Sequence, residues 1–195
     1  MQRGVRELRI IGGTLRGRKW NFPDAPGLRP TPDRVRETLF NWLAPHIAGM
    51  RVVDLFAGSG ALGFEALSRG AGSAVLIEND RLAAASLRAV AQRFGLTAAR
   101  IQADDALAFL RVQPRHGCEL VFLDPPFAAG LLEPALAALA GHDVLAPGGF
   151  CYLEQSAREA MPTLPQGWTI HRSGKAGEVG YHLLHAAPSD LPRDL

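Results

Sequence analysis

Cysteine is scarce in this sequence. Only Cys118 and Cys151 occur among the 195 residues, and each lies in an apolar run that is typical of a strand. Two isolated cysteines do not form the framework of a disulfide-rich protein, and their spacing does not match a zinc site. We therefore expect both thiols to be reduced and to lie in the core.

Long hydrophobic runs are also missing. A membrane-spanning helix needs about 18 consecutive apolar residues, and no run in this sequence reaches that length. The opening segment, MQRGVRE, does not contain the apolar stretch of a signal peptide. We therefore expect a soluble, cytoplasmic protein that does not associate with a membrane.

Two common catalytic patterns are absent as well. The six histidines show no spacing typical of a metal site or a catalytic triad, and His171, His182 and His185 alternate as strand residues do. A Gly-x-Ser-x-Gly motif is excluded because Ala57 occupies the place of its first glycine. We expect no bound metal and no serine nucleophile.

Positive charge is concentrated at the start of the chain. Residues 1–40 carry nine Lys and Arg against four Asp and Glu, so the remaining residues carry a net charge of −3 within the overall +2. Residues 8–11 and 15–20 flank Gly12-Gly13-Thr14, and the glycines permit the positive φ of a tight turn, so this pattern predicts a β-hairpin. The sequence thus begins with a basic hairpin arm.

The arm has features of a polyanion-binding surface. Arg16, Arg18 and Lys19 cluster together, and the aromatic residues Trp20 and Phe22 follow them directly. Basic residues mixed with aromatic ones are typical of nucleic-acid contacts. The alternative is a solvated charged face, which is the commoner role of surface charge.

A helix is predicted after the arm. Thr31 is expected as the N-cap, with Pro32 at the first helical position and Asp33 near the positive end of the helix dipole. The expected buried stripe is Val35, Leu39, Trp42 and Leu43. The expected polar face, spaced by three and four residues, is Arg34, Glu37 and Asn41.

Apolar strands and helices then alternate, which predicts an α/β fold with a parallel sheet. The predicted strands are residues 51–56, 74–77, 100–103, 120–123 and 149–155, and the predicted helices are residues 61–69, 81–94, 107–111 and 131–140. Residues 168–172 and 180–185 are expected to pair as an antiparallel hairpin at the end of the sheet.

A glycine-rich turn follows the first of these strands. Gly58, Gly60 and Gly63 match the spacing of a dinucleotide-binding turn. Asp54, at the end of the strand, would repel a pyrophosphate but would attract an ammonium group. The turn therefore favours S-adenosylmethionine, which carries positive charge, over a dinucleotide.

Acidic residues also follow the next two strands. Glu78 is placed to accept hydrogen bonds from the two ribose hydroxyls of a nucleoside cofactor, although it could simply lead into a helix. One acid of the pair Asp104 and Asp105 can accept from an adenine amino group while the other caps a helix. We favour Asp105 for the adenine.

The strand at residues 120–123 ends in Asp124-Pro125-Pro126-Phe127. Asp124 and the Pro125 carbonyl can both accept hydrogen bonds from the amino group of a nucleobase, since a Pro-Pro step keeps that carbonyl out of a helix. Phe127 can stack on the base. The alternative is an ordinary turn in which Asp124 caps the chain reversal.

Several segments resemble the bacterial 16S ribosomal RNA guanine-966-N2 methyltransferases, which are Rossmann-like class I S-adenosylmethionine-dependent enzymes. The segments are RIIGG with Gly17-Arg18, LRPTPDRVRETLFNWL, DLFAGSGALGFEALSRGA and DPPF. RPTPDRVRETLFNWL is the specific part, while the glycine turn and DPPF are shared with many base-amino methyltransferases. The similarity covers nearly the whole chain.

The resemblance implies a seven-stranded, mostly parallel sheet whose last strand is antiparallel, preceded by a small β-hairpin and a helix. It implies a basic extension at residues 1–30 and a methyltransferase domain at residues 31–195. The implied activity is methylation of the N2 amine of one guanine in 16S rRNA of the small ribosomal subunit, by a cytoplasmic monomer.

The resemblance also implies roles for individual residues. Those for the cofactor S-adenosyl-L-methionine are Asp54, Phe56, Gly58, Ser59, Gly60, Glu78, Asn79, Asp105, Ala106 and Asp124. Those for the target base are Asp124, Pro125, Pro126 and Phe127. Those for RNA are Arg16, Arg18, Lys19, Arg34, Glu37 and Asn41. The roles of Lys175 and Tyr181 stay open.

Three alternatives stay open. The acid and proline carbonyl do not distinguish which base amine they hold, so an adenine-N6 methyltransferase acting on DNA or RNA is the first. A nucleotide-dependent oxidoreductase that uses the glycine turn is the second. A non-catalytic RNA-binding assembly factor is the third.

Overall fold

The structure is a computed structural model that describes residues 5–23, 31–126 and 129–186. Its strands are β1 (Val5–Arg9), β2 (Lys19–Pro23), β3 (Arg51–Asp54), β4 (Ser73–Ile77), β5 (Ala99–Gln102), β6 (Cys118–Leu123), β7 (Leu145–Ser156), β8 (Thr169–Ala176) and β9 (Val179–His185). Its helices are α1 (Asp33–Leu43), α2 (Ala61–Ser68), α3 (Arg81–Phe94), α4 (Ala106–Arg111) and α5 (Leu132–Gly141).

Seven strands form one sheet in the order β5-β4-β3-β6-β7-β9-β8. The strands from β3 to β7 pair in parallel, whereas β9 is antiparallel to both of its neighbours. This arrangement confirms the predicted α/β fold, including the antiparallel last strand. The direction in which strands are added reverses between β3 and β6, and open α/β sheets bind ligands at such a point.

Helices cover both faces of this sheet. On one face α1, α2 and α3 share a core with the strands, in which Phe64 and Phe122 are fully buried. On the other face α4 and α5 form a second core, which includes Leu136 and Val121. Successive strand residues point to opposite faces, so the near-continuous apolar runs of β6 and β7 are explained by burial on both sides.

The basic arm forms the predicted hairpin, with β1 and β2 antiparallel and Arg9 opposite Lys19. The predicted tight turn at Gly12-Gly13-Thr14 is wrong, because residues 10–18 form a longer loop. Its glycines instead allow close packing on the end of α2. Gly13 has a φ of 76°, and a Cβ there would overlap the Ser68 carbonyl oxygen.

The two aromatic residues of the arm lie in the core. Trp20 and Phe22 are only 2% and 3% exposed, and Trp20 packs edge-on against Phe64 and Phe94 with ring centroids 5.9 and 6.2 Å away. The prediction that these aromatics support a polyanion surface is therefore wrong.

The division of the chain into two units at residue 30 stays a prediction. The hairpin shares the hydrophobic core on the first face of the sheet.

Helix α1 begins differently from the prediction. Pro32 occupies the N-cap position and no side chain caps the helix, so the predicted Thr31 cap is wrong. The Thr31 hydroxyl lies instead 3.4 Å from Asp124 Oδ2. The stripe is buried as predicted at Val35, Leu39 and Leu43, with Trp42 partly buried.

A buried ion cluster joins the arm to α1 and α2. Glu65 is fully buried and accepts hydrogen bonds from the backbone amides of Ile11 and Gly12 and from Arg69 Nε, each at 2.8 Å. The fully buried Arg36 has Nη1 3.6 Å from Glu65 Oε2. Burying a charge costs free energy unless it is paired, and this pairing holds the loop of the arm on the core.

The C-terminal hairpin pairs as predicted, with β8 longer than expected. Tyr181 in β9 is buried and stacks on Trp42 of α1, with ring centroids 5.5 Å apart. A Cβ at Gly174 would collide with the Tyr181 ring. The glycine-rich setting of Tyr181 therefore makes room for its ring, while Lys175 is exposed.

The two cysteines and the length of the helices were both considered from composition. Cys118 and Cys151 are both buried and free, which confirms their core placement. Within residues 5–23, 31–126 and 129–186, none of the helices is long and apolar enough to cross a membrane.

Candidate active site

Four parallel strands carry acidic residues at one edge of the sheet. Asp54 ends β3, Glu78 follows β4, Asp104 lies just beyond β5 and Asp124 follows β6. The Asp104 amide donates to the Glu78 carbonyl at 3.2 Å, which ties two of these strand ends together. The structure therefore brings the predicted acids into one row along the sheet edge.

The side chain of Asp54, the last residue of β3, is buried against the N-terminus of α2. Its Oδ2 accepts a hydrogen bond from the Gly63 amide at 3.0 Å, so it holds one of the free amides of the helix N-terminus. Burial raises the pKa of Asp54 to about 7, the Gly63 bond opposes this rise, and the negative charge of Glu78 adds to it. A bound ammonium group would favour the ionised carboxylate.

The affinity for S-adenosylmethionine should depend on pH through Asp54. Below about pH 7 this carboxyl is protonated in the free protein, so affinity should fall by up to about tenfold for each pH unit between 7 and 5. Calorimetric titration across this range measures the effect. In Asp54→Asn affinity should be weaker and nearly independent of pH, and a flat wild-type profile would contradict the assignment.

The glycine-rich turn between β3 and α2 is held from two sides. The Gly58 amide donates to Glu78 Oε2 at 2.8 Å, and Trp20 Nε1 of the arm donates to the Ser59 carbonyl at 2.9 Å. Gly60 adopts a φ of 79° before α2, a conformation that favours glycine. The contact from Trp20 was not predicted, since no local signal in the sequence marks a pair 39 residues apart.

Glu78 is already engaged by backbone amides. Its Oε2 holds Gly58 and its Oε1 accepts from the Asp80 amide at 2.8 Å. Each carboxylate oxygen can accept more than one bond, so these contacts orient Glu78 and leave acceptor capacity for ribose hydroxyls. The helix that follows is capped by Asp80, whose side chain accepts from Leu82 and Ala83.

The predicted division of roles between Asp104 and Asp105 is wrong for the helix cap. Asp105 is the N-cap of α4, and its Oδ1 accepts from the Ala108 amide at 2.8 Å. Asp104 is exposed and accepts from the Asp105 amide through Oδ1. The adenine contact of Asp105 stays a prediction.

The remaining predicted cofactor residues lie on the same elements. Phe56 is partly buried, Ser59 and Ala106 are buried, and Asn79 is exposed. The acid near the glycine turn and the acid after β4 suit a cofactor with a positive charge and a ribose. The residues present therefore fit S-adenosylmethionine better than a dinucleotide.

Asp124 and Pro125 occupy the end of β6, next to the turn that follows β3. Burial raises the pKa of Asp124 well above its ordinary value, and the charges of Glu154 and Asp54 raise it further. No backbone amide in the described part of the chain donates to the Pro125 carbonyl, whereas the Pro126 carbonyl accepts from Ala129 at 2.9 Å. Phe127, the predicted stacking residue, lies outside the described residues.

Sequence reasoning missed a second acid beside Asp124. Glu154 in β7 is 3% exposed, and its Oε1 accepts from the Tyr152 hydroxyl at 2.7 Å. Burial raises the pKa of Glu154, while hydrogen bonds from Tyr152 and Thr31 oppose the rise. Its apolar neighbours predict only a strand, so no local signal separates it from a core position.

A cavity of about 320 Å³ opens at this edge of the sheet. Its lining includes Pro125, Pro126 and Glu154, together with Glu133 and Glu159. None of its lining residues in the described part of the chain is Lys or Arg. Such a lining suits a ligand that donates hydrogen bonds rather than a phosphate.

The predicted RNA contacts lie on exposed surfaces. Arg16, Arg18 and Lys19 are all exposed on the arm; Arg18 lies 5.5 Å above the Phe94 ring, and Lys19 pairs with the exposed Glu7 at 2.8 Å. The predicted polar face of α1 is confirmed as exposed at Arg34, Glu37 and Asn41.

Among residues 5–23, 31–126 and 129–186, no group of three or more potential metal ligands is found.

Comparison with known proteins gives consistent matches over most of the chain. The family model described as conserved hypothetical protein 95 matches residues 8–185. Ribosomal RNA small subunit methyltransferase D of Escherichia coli K12 is 48% identical over 180 residues, covering 92% of this chain and 90% of that protein. The Haemophilus influenzae protein of the same name is 41% identical and covers 91% of this chain and 93% of that protein. The solved structure of Escherichia coli yhhF superposes with a TM-score of 0.87 at 44% identity, covering 93% of this chain and 99% of that chain.

Proposed function

The chain belongs to the conserved hypothetical protein 95 family, together with ribosomal RNA small subunit methyltransferase D, and on this premise we propose that it is an S-adenosylmethionine-dependent rRNA methyltransferase. Its target is the exocyclic N2 amine of one guanine, position 966 by the convention of the family, in 16S rRNA of the small ribosomal subunit. We also propose that it acts in the cytoplasm as a monomer.

One observation carries this proposal. Asp124 and the Pro125 carbonyl, which accepts no backbone amide in the described part of the chain, lie at the end of β6. The strand β3, which leads into the glycine turn, pairs directly with β6. A base amine held by these two acceptors would therefore face a cofactor lodged against the turn.

The chemistry follows from this placement. S-adenosylmethionine supplies, when bound, a methyl group on a positively charged sulfur. Asp124 and the Pro125 carbonyl accept hydrogen bonds from the amine and turn its lone pair toward that methyl group, so positioning supplies most of the rate enhancement. Asp124 would also take up the proton that the N2 amine gives up when it is methylated.

The target guanine must leave its stack to reach the sheet edge. Arg16, Arg18 and Lys19 lie on the arm that contacts the glycine turn through Trp20. We propose that these three side chains bind flanking phosphates. The second proposed RNA surface is the exposed face of α1 formed by Arg34, Glu37 and Asn41. Helix α1 begins just after Thr31, whose hydroxyl contacts Asp124.

Replacing Arg16, Arg18 and Lys19 together by serine should weaken RNA binding and flatten its salt dependence. The slope of log affinity against log salt should fall by about 2, because each phosphate contact contributes about 0.7–0.9. Fluorescence anisotropy at several salt concentrations measures the slope, and cofactor affinity should stay unchanged.

A matched triple variant provides the control. Arg100, Arg111 and Arg115 are exposed and lie near the edge of the sheet where the strands begin. Replacing these three arginines by serine removes the same amount of positive charge, but from the end of the sheet opposite the row of acids. Equal effects of the two triple variants on the slope would show that the arm is not a specific RNA contact.

The activity itself is tested with labelled S-adenosylmethionine and under-methylated small ribosomal subunits. Digestion of the product should give N2-methylguanosine, with the label mapped to one position in 16S rRNA. Finding N6-methyladenosine alone would favour the adenine alternative. Calorimetric binding of NAD without binding of S-adenosylmethionine would favour the oxidoreductase.

A further inference from the structure

We propose that Glu154 determines the preference for guanine, by accepting a hydrogen bond from guanine N1–H while Asp124 and the Pro125 carbonyl hold the N2 amine. This inference rests on the proposed function and adds to it the residue that reads the base. Neither the DPPF segment nor the glycine turn contains Glu154, which lies 30 positions beyond Asp124 in the chain.

The register of the sheet places the two acids side by side. β6 and β7 are parallel, with Phe122 opposite Tyr152 and Leu123 opposite Leu153. One step further along each strand brings Asp124 next to Glu154. Because side chains alternate between the faces, both acids lie on the face of Phe122 and Tyr152. The influence of the Glu154 charge on the pKa of Asp124 agrees with this proximity.

The surroundings of Glu154 are unusual for a buried acid. A side chain of this type is seldom buried without a cationic partner, yet no Lys, Arg or His in the described ranges forms an ion pair with it. The Tyr152 hydroxyl holds Oε1 at 2.7 Å, and Thr31 lies within hydrogen-bond reach of both acids. Neutral donors thus fix the carboxyl while leaving it able to accept from a ligand.

Glu154 also reaches the cavity beside Pro125 and Pro126. Two other acids line this cavity, but Glu133 and Glu159 are exposed. Water competes with a ligand for an exposed carboxylate, whereas a buried acceptor discriminates strongly between ligands that donate to it and ligands that do not. Burial therefore singles out Glu154 among the acids of the cavity.

The edges of the two purines explain what such a pair of acids can distinguish. Guanine presents N1–H directly beside the N2 amine, so it offers adjacent donors to two adjacent acceptors. Adenine presents a bare N1 lone pair beside its N6 amine, and this lone pair would face an acceptor. An interaction between two acceptors leaves the lone pair of the buried carboxyl that faces the ligand without a donor, which costs binding free energy. The arrangement therefore accepts guanine and disfavours adenine.

The experiment compares guanine with 2-aminopurine, which keeps the N2 amine but has an N1 that accepts instead of donating. Small subunits are reassembled with 16S rRNA carrying either base at the mapped target position. The wild-type kcat/KM should be higher for guanine by about 100-fold or more. In Glu154→Gln the new amide can donate to N1 of 2-aminopurine, so the guanine preference should fall by about tenfold or more.

Glu133→Gln, which changes an exposed acid of the same cavity, should keep the wild-type preference. A Glu154→Gln enzyme that loses activity on both bases by the same factor would overturn the inference, because that result indicates a structural role. If the variant does not fold, the wild-type ratio alone decides: equal methylation of guanine and 2-aminopurine also overturns it. Absence of N2 methylation by the wild-type enzyme on guanine would instead refute the proposed function itself.

Discussion

Replacing Asp124 by alanine should abolish methyl transfer, with kcat lower by about a thousandfold or more, because the variant loses a preorganised acceptor at the reacting amine. The dissociation constant for S-adenosylmethionine should change by less than about threefold, since Asp54, Glu78 and the glycine turn are untouched. Turnover of the mapped small-subunit substrate and calorimetric cofactor binding measure the two effects.

The variant should remain folded. Asp124 lies near Asp54 and Glu154, and their charges raise its pKa, so removing it relieves repulsion rather than breaking an ion pair. Asp124→Asn and Asp143→Asn form a matched pair, because Asp143 lies beyond α5 and pairs with Arg115. Only the first should lose activity. Turnover by Asp124→Ala within a few-fold of the wild type would refute the catalytic assignment.

Replacing Glu65 by alanine should lower the free energy of unfolding far more than replacing an exposed acid of the arm. The change removes the buried partner of Arg36 at 3.6 Å, so that its ion pair with the half-exposed Asp33 at 2.6 Å remains, and it removes an acceptor from Ile11, Gly12 and Arg69. Breaking a buried ion pair by removing one member destabilises a protein by about 3–5 kcal/mol. For a chain of this length the melting temperature should fall by about 10 °C, as measured by calorimetry or circular dichroism.

Glu7→Ala is the control for this prediction. Glu7 pairs with Lys19 on the exposed side of the same arm, and exposed pairs contribute little. Its melting temperature should stay close to that of the wild type. A similarly small change in Glu65→Ala would show that the buried cluster does not hold the arm on the core.

The row of acids at the sheet edge was predictable because it depends on local patterns. An apolar run followed by an acid and a glycine or proline marks the end of a buried strand. The carboxyl ends of parallel strands meet at one edge, so Asp54, Glu78 and Asp124 could be placed together without knowing their contacts. The resemblance to a family then supplied the chemistry.

The features that the sequence did not reveal depend on contacts between distant segments. Thr31 and Asp124 are 93 positions apart, and Trp20 and Ser59 are 39 apart. The aromatic side chain of Trp20, next to Lys19 in the basic arm, suggested a nucleic-acid surface, but packing against Phe64 places it in the core. Tertiary packing overrides a local pattern in such cases.

Acidic residues were the hardest to interpret individually. Asp104 and Asp105 are adjacent, and only the position where α4 begins decides which of them caps the helix. Glu154 lies in a strand that is predicted correctly, yet its relation to Asp124 appears only when β6 and β7 are paired. The order of strands in the sheet is therefore the information that local patterns lack.

A crystal structure with bound S-adenosylhomocysteine tests the central claim most directly. We predict that its amino group contacts Asp54, its ribose contacts Glu78, and its sulfur faces an open space bordered by Asp124 and the Pro125 carbonyl. A ligand bound elsewhere, or a sulfur separated from Asp124 by packed side chains, would contradict the account.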